Sequence, residues 1–81
     1  MPSWINFQLE HRARGRKTDV WHVWSLDGRH HLGSVRWFSP WRKYSFWPAR
    51  DTVFEQDCLR DLAAFIEAET VKQRKGRRAA L

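Results

Sequence analysis

Cysteine is almost absent from the 81-residue chain: it occurs once, as Cys58, so no internal disulfide and no cysteine-based metal cluster can form. The fold must therefore hold by packing alone, and a reducing cytoplasm is the natural compartment. Long apolar runs are also lacking. No stretch approaches the roughly 18 residues that a bilayer span needs, and the opening MPSWINFQLEH has neither the basic region nor the apolar stretch of a secretory signal. The chain reads as unexported and without a membrane partner. Acidic residues are few, nine against fifteen Lys and Arg, and the resulting net charge of +6 points to an acidic partner such as nucleic acid, DNA or RNA. Paired carboxylates, a phosphate-binding glycine loop and a nucleophile elbow are missing as well. No residue pattern argues for an enzyme or a cofactor.

What the chain has in abundance is aromatic residues. Six Trp, five Phe and one Tyr make up 15% of a sequence whose overall hydrophobic content is an ordinary 42%, which argues against disorder throughout. The length allows one small domain, read here as residues 1–71 with a basic loop at 11–18, followed by a basic flexible tail at 72–81.

Alternation of Ile5, Phe7 and Leu9 against Trp4, Asn6, Gln8 and Glu10 predicts a half-buried strand. The charged stretch from His11 to Asp19 reads as a flexible connection. DVWHVWSL and HHLGSVRWF flank an Asp27-Gly28 turn signal, so residues 20–26 and 31–38 should form a hairpin with a loop longer than two residues. Ser39-Pro40 ends that strand, and Lys43 to Trp47 forms a short one closed by Pro48. From residue 53 onward Leu59, Leu62, Phe65, Ile66 and Glu69 share one helical face, with Cys58 and Ala63 flanking it. This spacing predicts an amphipathic helix of roughly four turns, capped by Asp57 or Thr52.

An apolar helix face and an apolar sheet face must cover each other. The predicted fold is therefore α+β, a three- or four-stranded antiparallel meander with one C-terminal amphipathic helix packed on one face. Val35, Trp37, Tyr44 and Phe46 should meet the helix, leaving Arg36, Lys43 and Trp47 outward. In residues 20–26 either Trp21 and Val23 or His22 and Trp24 could be inward, and the pattern does not decide between them. The opposite sheet face is left open, which is where a small protein of this kind can offer aromatics to a partner.

The charge is unevenly placed. Residues 1–18 hold four basic and one acidic residue, residues 19–70 hold six basic and eight acidic, and residues 71–81 hold five basic and none acidic. Two segments thus carry the surplus: Arg12, Arg14, Arg16 and Lys17, and Lys72, Arg74, Lys75, Arg77 and Arg78. Such runs grip phosphate by counterion release, or serve only to keep the protein soluble. Within the acidic middle, Arg36, Trp41, Arg42 and Lys43 form a basic and aromatic cluster beside Phe38, Tyr44 and Trp47. Aromatic faces stack on unpaired bases while guanidinium groups meet phosphate, which suits single-stranded nucleic acid or a distorted duplex. The same residue types make protein hot spots, with Trp24, Trp41 and Trp47 as anchors, or fill the core of a domain this small.

His22, His30 and His31 invite a metal reading, but His30 and His31 point oppositely in a strand and no third ligand at fixed spacing follows. No metal site is expected. Cys58, on the apolar side of a helix, reads as buried filler.

The pattern Leu32-Gly33-x-Val35-x-Trp37, then Trp41-Arg42-x-Tyr44-x-Phe46-x-Pro48, Thr52-Val53-Phe54 and Cys58-Leu59-x-Asp61-Leu62-Ala63-x-Phe65-Ile66 resembles a group of short proteins carried by bacteriophages and other mobile elements. That resemblance covers less than half of the chain and implies a viral or mobile-element context and a small sheet-plus-helix fold, without an activity. A three-stranded sheet on a C-terminal helix is also similar in outline to the arm-type DNA-binding domains of phage integrases, none of whose motif residues are present.

Two functions follow as expectations. One is a small nucleic-acid-binding accessory protein whose basic arms hold phosphates and whose sheet surface meets the strand. The other is a protein-binding regulator, an inhibitor or subunit of a host nucleic-acid or defence complex, docking through its Trp-rich surface. A subunit of a ribonucleoprotein complex would combine the two, and homodimerisation through an exposed edge strand is compatible with either.

Overall fold

The N-terminal alternation is realised as a strand, so the sheet has four members. A computed structural model describes residues 5–12 and 15–79, with side chains described in the helix as far as Lys75. Strands β1 (Ile5–Leu9), β2 (Trp21–Ser25), β3 (His31–Phe38) and β4 (Lys43–Pro48) form one antiparallel sheet in the order β1-β2-β3-β4, and helix α1 (Gln56–Ala79) follows. The architecture is the α+β meander that the residue pattern predicts.

The β2–β3 loop is longer than two residues because Asp27 organises it. Its carboxylate accepts from the Ser25 hydroxyl and from the Arg29 N–H (3.0 Å), while Gly28, at φ 75°, donates its N–H to Ser25 O (2.9 Å). The β3–β4 link is a 3₁₀ turn, Ser39–Trp41, closed by Arg42 in the left-handed region at φ 53°. A register shift lies between Val23 and Trp24, opposite Gly33. Gly33 has φ 152°, and a Cβ there would collide with the Trp47 carbonyl oxygen and stand 2.8 Å from the Phe46 ring. Only glycine fits that approach.

The core lies between one sheet face and α1. Ile5, Val23 and Val35 are fully enclosed, joined by Trp21, Tyr44 and Leu62, with Phe7, Trp37, Phe46, Phe54, Phe65 and Ile66 packed around them. Aromatic geometry sets much of this packing. Phe65 stacks on Phe7 at 3.8 Å and takes the Trp21 ring edge-on at 5.1 Å, while Tyr44 meets Trp21 and Trp37 edge-on, each at 5.2 Å. The open question in β2 is resolved: Trp21 and Val23 face inward, and His22 and Trp24 face outward.

Four expectations need correction. The helix is capped by Glu55 in place of Asp57 or Thr52: its carboxylate accepts from the Cys58 N–H at 2.7 Å, whereas the Thr52 hydroxyl donates to Ala49 O. Leu59 is half exposed, because the buried stripe runs through Cys58, Leu62, Phe65, Ile66 and Thr70 and leaves it to one side; Leu9, at the end of edge strand β1, is exposed too. Finally, α1 is 24 residues long and carries the basic run to residue 79 on helical backbone. Lys, Gln and Arg are good helix formers, and cations are favoured near a helix C-terminus. Side-chain contacts from Thr70, Gln73 and Arg74 hold the turns as far as Arg74.

Candidate nucleic-acid interface

Those contacts gather residues that lie far apart in the chain. Thr70, buried in α1, accepts the Tyr44 N–H through its hydroxyl oxygen at 3.0 Å. The Tyr44 hydroxyl in turn accepts from the Asp19 N–H (3.1 Å) and donates to Gln73 Oε1 (3.4 Å), and Gln73 Nε2 donates to the Lys17 carbonyl. One turn on, the Arg74 guanidinium donates from Nε and Nη2 to the Arg42 carbonyl, at 3.2 and 2.8 Å. The Lys17–Asp19 end of the connection, the β3–β4 turn and the α1 turns from Thr70 to Arg74 are thereby held at one end of the sheet. Lys17, Arg42, Lys43, Lys72, Arg74 and Lys75 come from these three segments. Only Lys72 among them forms an ion pair within the described residues, with Glu69 at 3.1 Å.

The connection itself is more ordered by contacts than its composition implies. Arg12 holds Asp19 through two nitrogens (2.9 and 2.7 Å), and Arg16 holds Glu10 at 2.8 Å and the His11 carbonyl at 3.2 Å. Arg12 and Arg16, both candidate phosphate contacts, are thus engaged by carboxylates, and Lys17 is the cation of this segment left without one among the described residues. Arg14 and the side chains of Arg77 and Arg78 lie outside the described residues.

The outer face of the sheet carries the remaining candidates. Arg36 in β3 donates from Nε to the Ser34 hydroxyl at 3.0 Å, which fixes its guanidinium in the middle of the face. On one side Phe38 takes Trp41 and Trp47 edge-on at 4.8 and 5.8 Å. Trp41 is 67% exposed and Trp47 44%, so both offer open rings. On the other side Trp24 meets His31 edge-on at 5.0 Å, and its indole N–H donates to Gln8 Oε1 at 3.0 Å. Asn6, Gln8, Trp24 and Gly28 line a shallow depression there.

A proton-bearing chain crosses the same face, in which His22 pairs with one of the two adjacent histidines, His31, and also meets Glu10. His22 Nε2 contacts Glu10 Oε1 at 2.9 Å, and His22 Nδ1 contacts His31 Nε2 at 3.1 Å. An ionised Glu10 accepts from Nε2, leaving His22 Nδ1 to accept from His31 Nε2–H when both rings are neutral. Hydrogen bonds from Arg16 and then His22 hold the Glu10 carboxyl below the usual carboxylate range. The outward parity of Glu10 is legible in the residue pattern and that of His22 is not; the pairing that brings Glu10, His22 and His31 together needs the register. Among the described residues no group of three His, Cys, Asp or Glu is placed to hold a metal ion, and no helix is long and apolar enough to cross a membrane. Cys58 is half-buried against the core, and burial pushes its thiol pKa up.

A protein of Acholeplasma phage L2, named "Uncharacterized 9.3 kDa protein", is 31% identical to this chain over 61 residues, or 75% of this chain and 77% of the phage protein. The chain belongs to that phage protein's family. No family model matches the sequence, and no solved structure matches it.

Proposed function

We propose that the protein is a small cytoplasmic nucleic-acid-binding accessory protein of a phage or mobile element, acting by binding and without catalysis. The observation that carries this reading is the convergence of Lys17, Arg42, Lys43, Arg74 and Lys75, from three separate segments, at one end of an open sheet face bearing Arg36, Trp41 and Trp47. Cations so gathered neutralise consecutive phosphates, and exposed rings beside them stack on bases. Kinship with a phage protein supports the mobile-element context.

The test is binding of labelled DNA and RNA, single-stranded and duplex, at about 50 and 200 mM salt. The reading expects affinity to fall steeply with salt. Replacing Lys17, Lys43 and Lys75 together by Ala should reduce the slope of log K against log salt by about 2 to 3, at roughly 0.7 to 0.9 for each phosphate no longer neutralised. Absence of binding at low salt refutes it.

The exposed Phe38–Trp41–Trp47 cluster also favours a second reading, a regulator that docks on a host protein or ribonucleoprotein complex through its tryptophans. Its signature is stoichiometric binding to one protein that tolerates moderate salt and is lost on Trp41→Ala or Trp24→Ala.

A further inference from the structure

We infer that the outer face of the sheet is a platform for an extended single strand, with bases laid on its rings and the backbone leaving over the basic end. This rests on the nucleic-acid reading above and specifies which form of nucleic acid the face takes.

Width is the first argument. Four strands spaced at 4.7–4.9 Å span about 14 Å between the outer two, before any side chain is added. The major groove of a duplex is about 12 Å wide and admits one helix or a two-stranded ribbon. The face of this sheet cannot enter it.

Ring placement is the second. A duplex hides the faces of its bases in its own stack, so rings on a sheet surface have nothing to stack on unless the bases are unpaired. Here rings stand on both sides of the face, Trp47 and Phe38 towards β4 and Trp24 towards β1, with Arg36 between them. The Ser34 hydroxyl holds Arg36 by Nε alone, and its two terminal nitrogens have no partner among the described residues. They are free to donate to a phosphate between two stacked bases. Four-stranded sheets that use aromatics in this way stack two or three bases, which matches rings on two sides of a central cation.

Charge is the third. The four strands contain no carboxylate, and Glu10, the residue after β1, is already paired with Arg16 and His22. No unpaired negative charge therefore opposes a phosphate chain across the face. Beyond Phe38 the face continues into Lys43, its register partner, and then to the Arg42 and Arg74 pair, which gives the strand a cationic exit.

The experiment is titration of the full chain with an unlabelled single strand of about 12 nucleotides, and with the duplex of the same sequence, at about 200 mM salt, read by tryptophan emission. The single strand should bind at least tenfold more tightly than the duplex and quench emission. Trp47→Ala and Trp41→Ala should each weaken single-strand binding about 5- to 150-fold, as the loss of one stacked base predicts, and leave duplex binding unchanged. Both rings are exposed, and an unchanged thermal melt verifies that each variant is folded. Equal affinity for the two forms, or single-strand binding indifferent to both substitutions, overturns the platform while leaving the nucleic-acid reading in place. Failure to bind either form even at about 50 mM salt overturns both.

Discussion

Arg74 binds the main chain of Arg42, not its side chain: two guanidinium nitrogens of the helix residue reach the Arg42 carbonyl oxygen, at 3.2 and 2.8 Å. Two cations that would repel each other as free side chains are thereby fixed as neighbours. The carbonyl is available because Arg42 adopts the left-handed conformation at φ 53° and ends the 3₁₀ turn. One such contact both anchors α1 at Arg74 and concentrates positive charge at the start of β4.

Arg74→Ala should therefore act on stability and on binding together. Removing the guanidinium is expected to cost about 1 kcal/mol, a fall of several degrees in melting temperature for a domain of this size. Lys75→Ala removes the same charge without an internal contact and should leave the melt unchanged. Thermal unfolding followed by circular dichroism distinguishes the two.

Thr70→Val should be more damaging than its small change in shape suggests. The Thr70 hydroxyl oxygen accepts the Tyr44 N–H in the buried seam between α1 and β4. Valine leaves that donor unpaired, at a cost of about 1–3 kcal/mol, while Thr70→Ser keeps the acceptor and should lose less. Denaturant midpoints measured on the two variants provide the comparison.

Gly33→Ala should be among the most destabilising single substitutions, by about 3 kcal/mol or more. The new methyl group would collide with the Trp47 carbonyl oxygen and the Phe46 ring, at a φ of 152° that an L side chain rarely adopts. Chemical denaturation should show a lower midpoint with an unchanged slope. An unchanged midpoint would mean that β3 and β4 pair otherwise than described.

Acid should weaken the fold partly through Glu10. Hydrogen bonds from Arg16 and His22 lower its folded pKa below an ordinary 4.5, so its contribution is present above that ordinary value and is lost as pH falls through the folded one. Glu55, lowered by the Cys58 N–H, has the same sign. The difference in stability between the wild type and Glu10→Gln should accordingly be largest near neutral pH and shrink below about pH 4. Tyr44 has the opposite sign: burial raises its pKa above 10, so its contribution is complete below pH 10 and fades as pH rises through the folded value. Tyr44→Phe should flatten that alkaline limb.

Much of this fold is legible in the chain because its strands alternate cleanly. Ile5 and Phe7, Val35 and Trp37, and Tyr44 and Phe46 declare their inward face by parity alone, and Asp27-Gly28 declares the turn. In β2 both parities carry a tryptophan, so only pairing with β1 and β3 separates buried Trp21 from exposed Trp24. Leu59 is misread for a related reason: a helical wheel ranks residues by polarity, but the stripe that is buried depends on where the helix crosses the sheet. The candidate interface is legible as residue types and illegible as a surface. Lys17, Arg42 and Arg74 become neighbours only through Gln73, Tyr44 and a main-chain carbonyl, and polar links of that kind leave no periodic signal.

On the proposed function, the open sheet face and the basic end form one nucleic-acid surface. Its most direct test is the two-dimensional ¹H–¹⁵N spectrum of the labelled protein during addition of a single-stranded oligonucleotide, with indole N–H signals assigned by substitution. Shifts are expected in the indoles of Trp24, Trp41 and Trp47 and in the amides of Arg36, Lys43 and Lys75, with Trp21 and Trp37 unmoved behind the sheet. Shifts confined to the basic segments, with the three outer indoles unchanged, would contradict it.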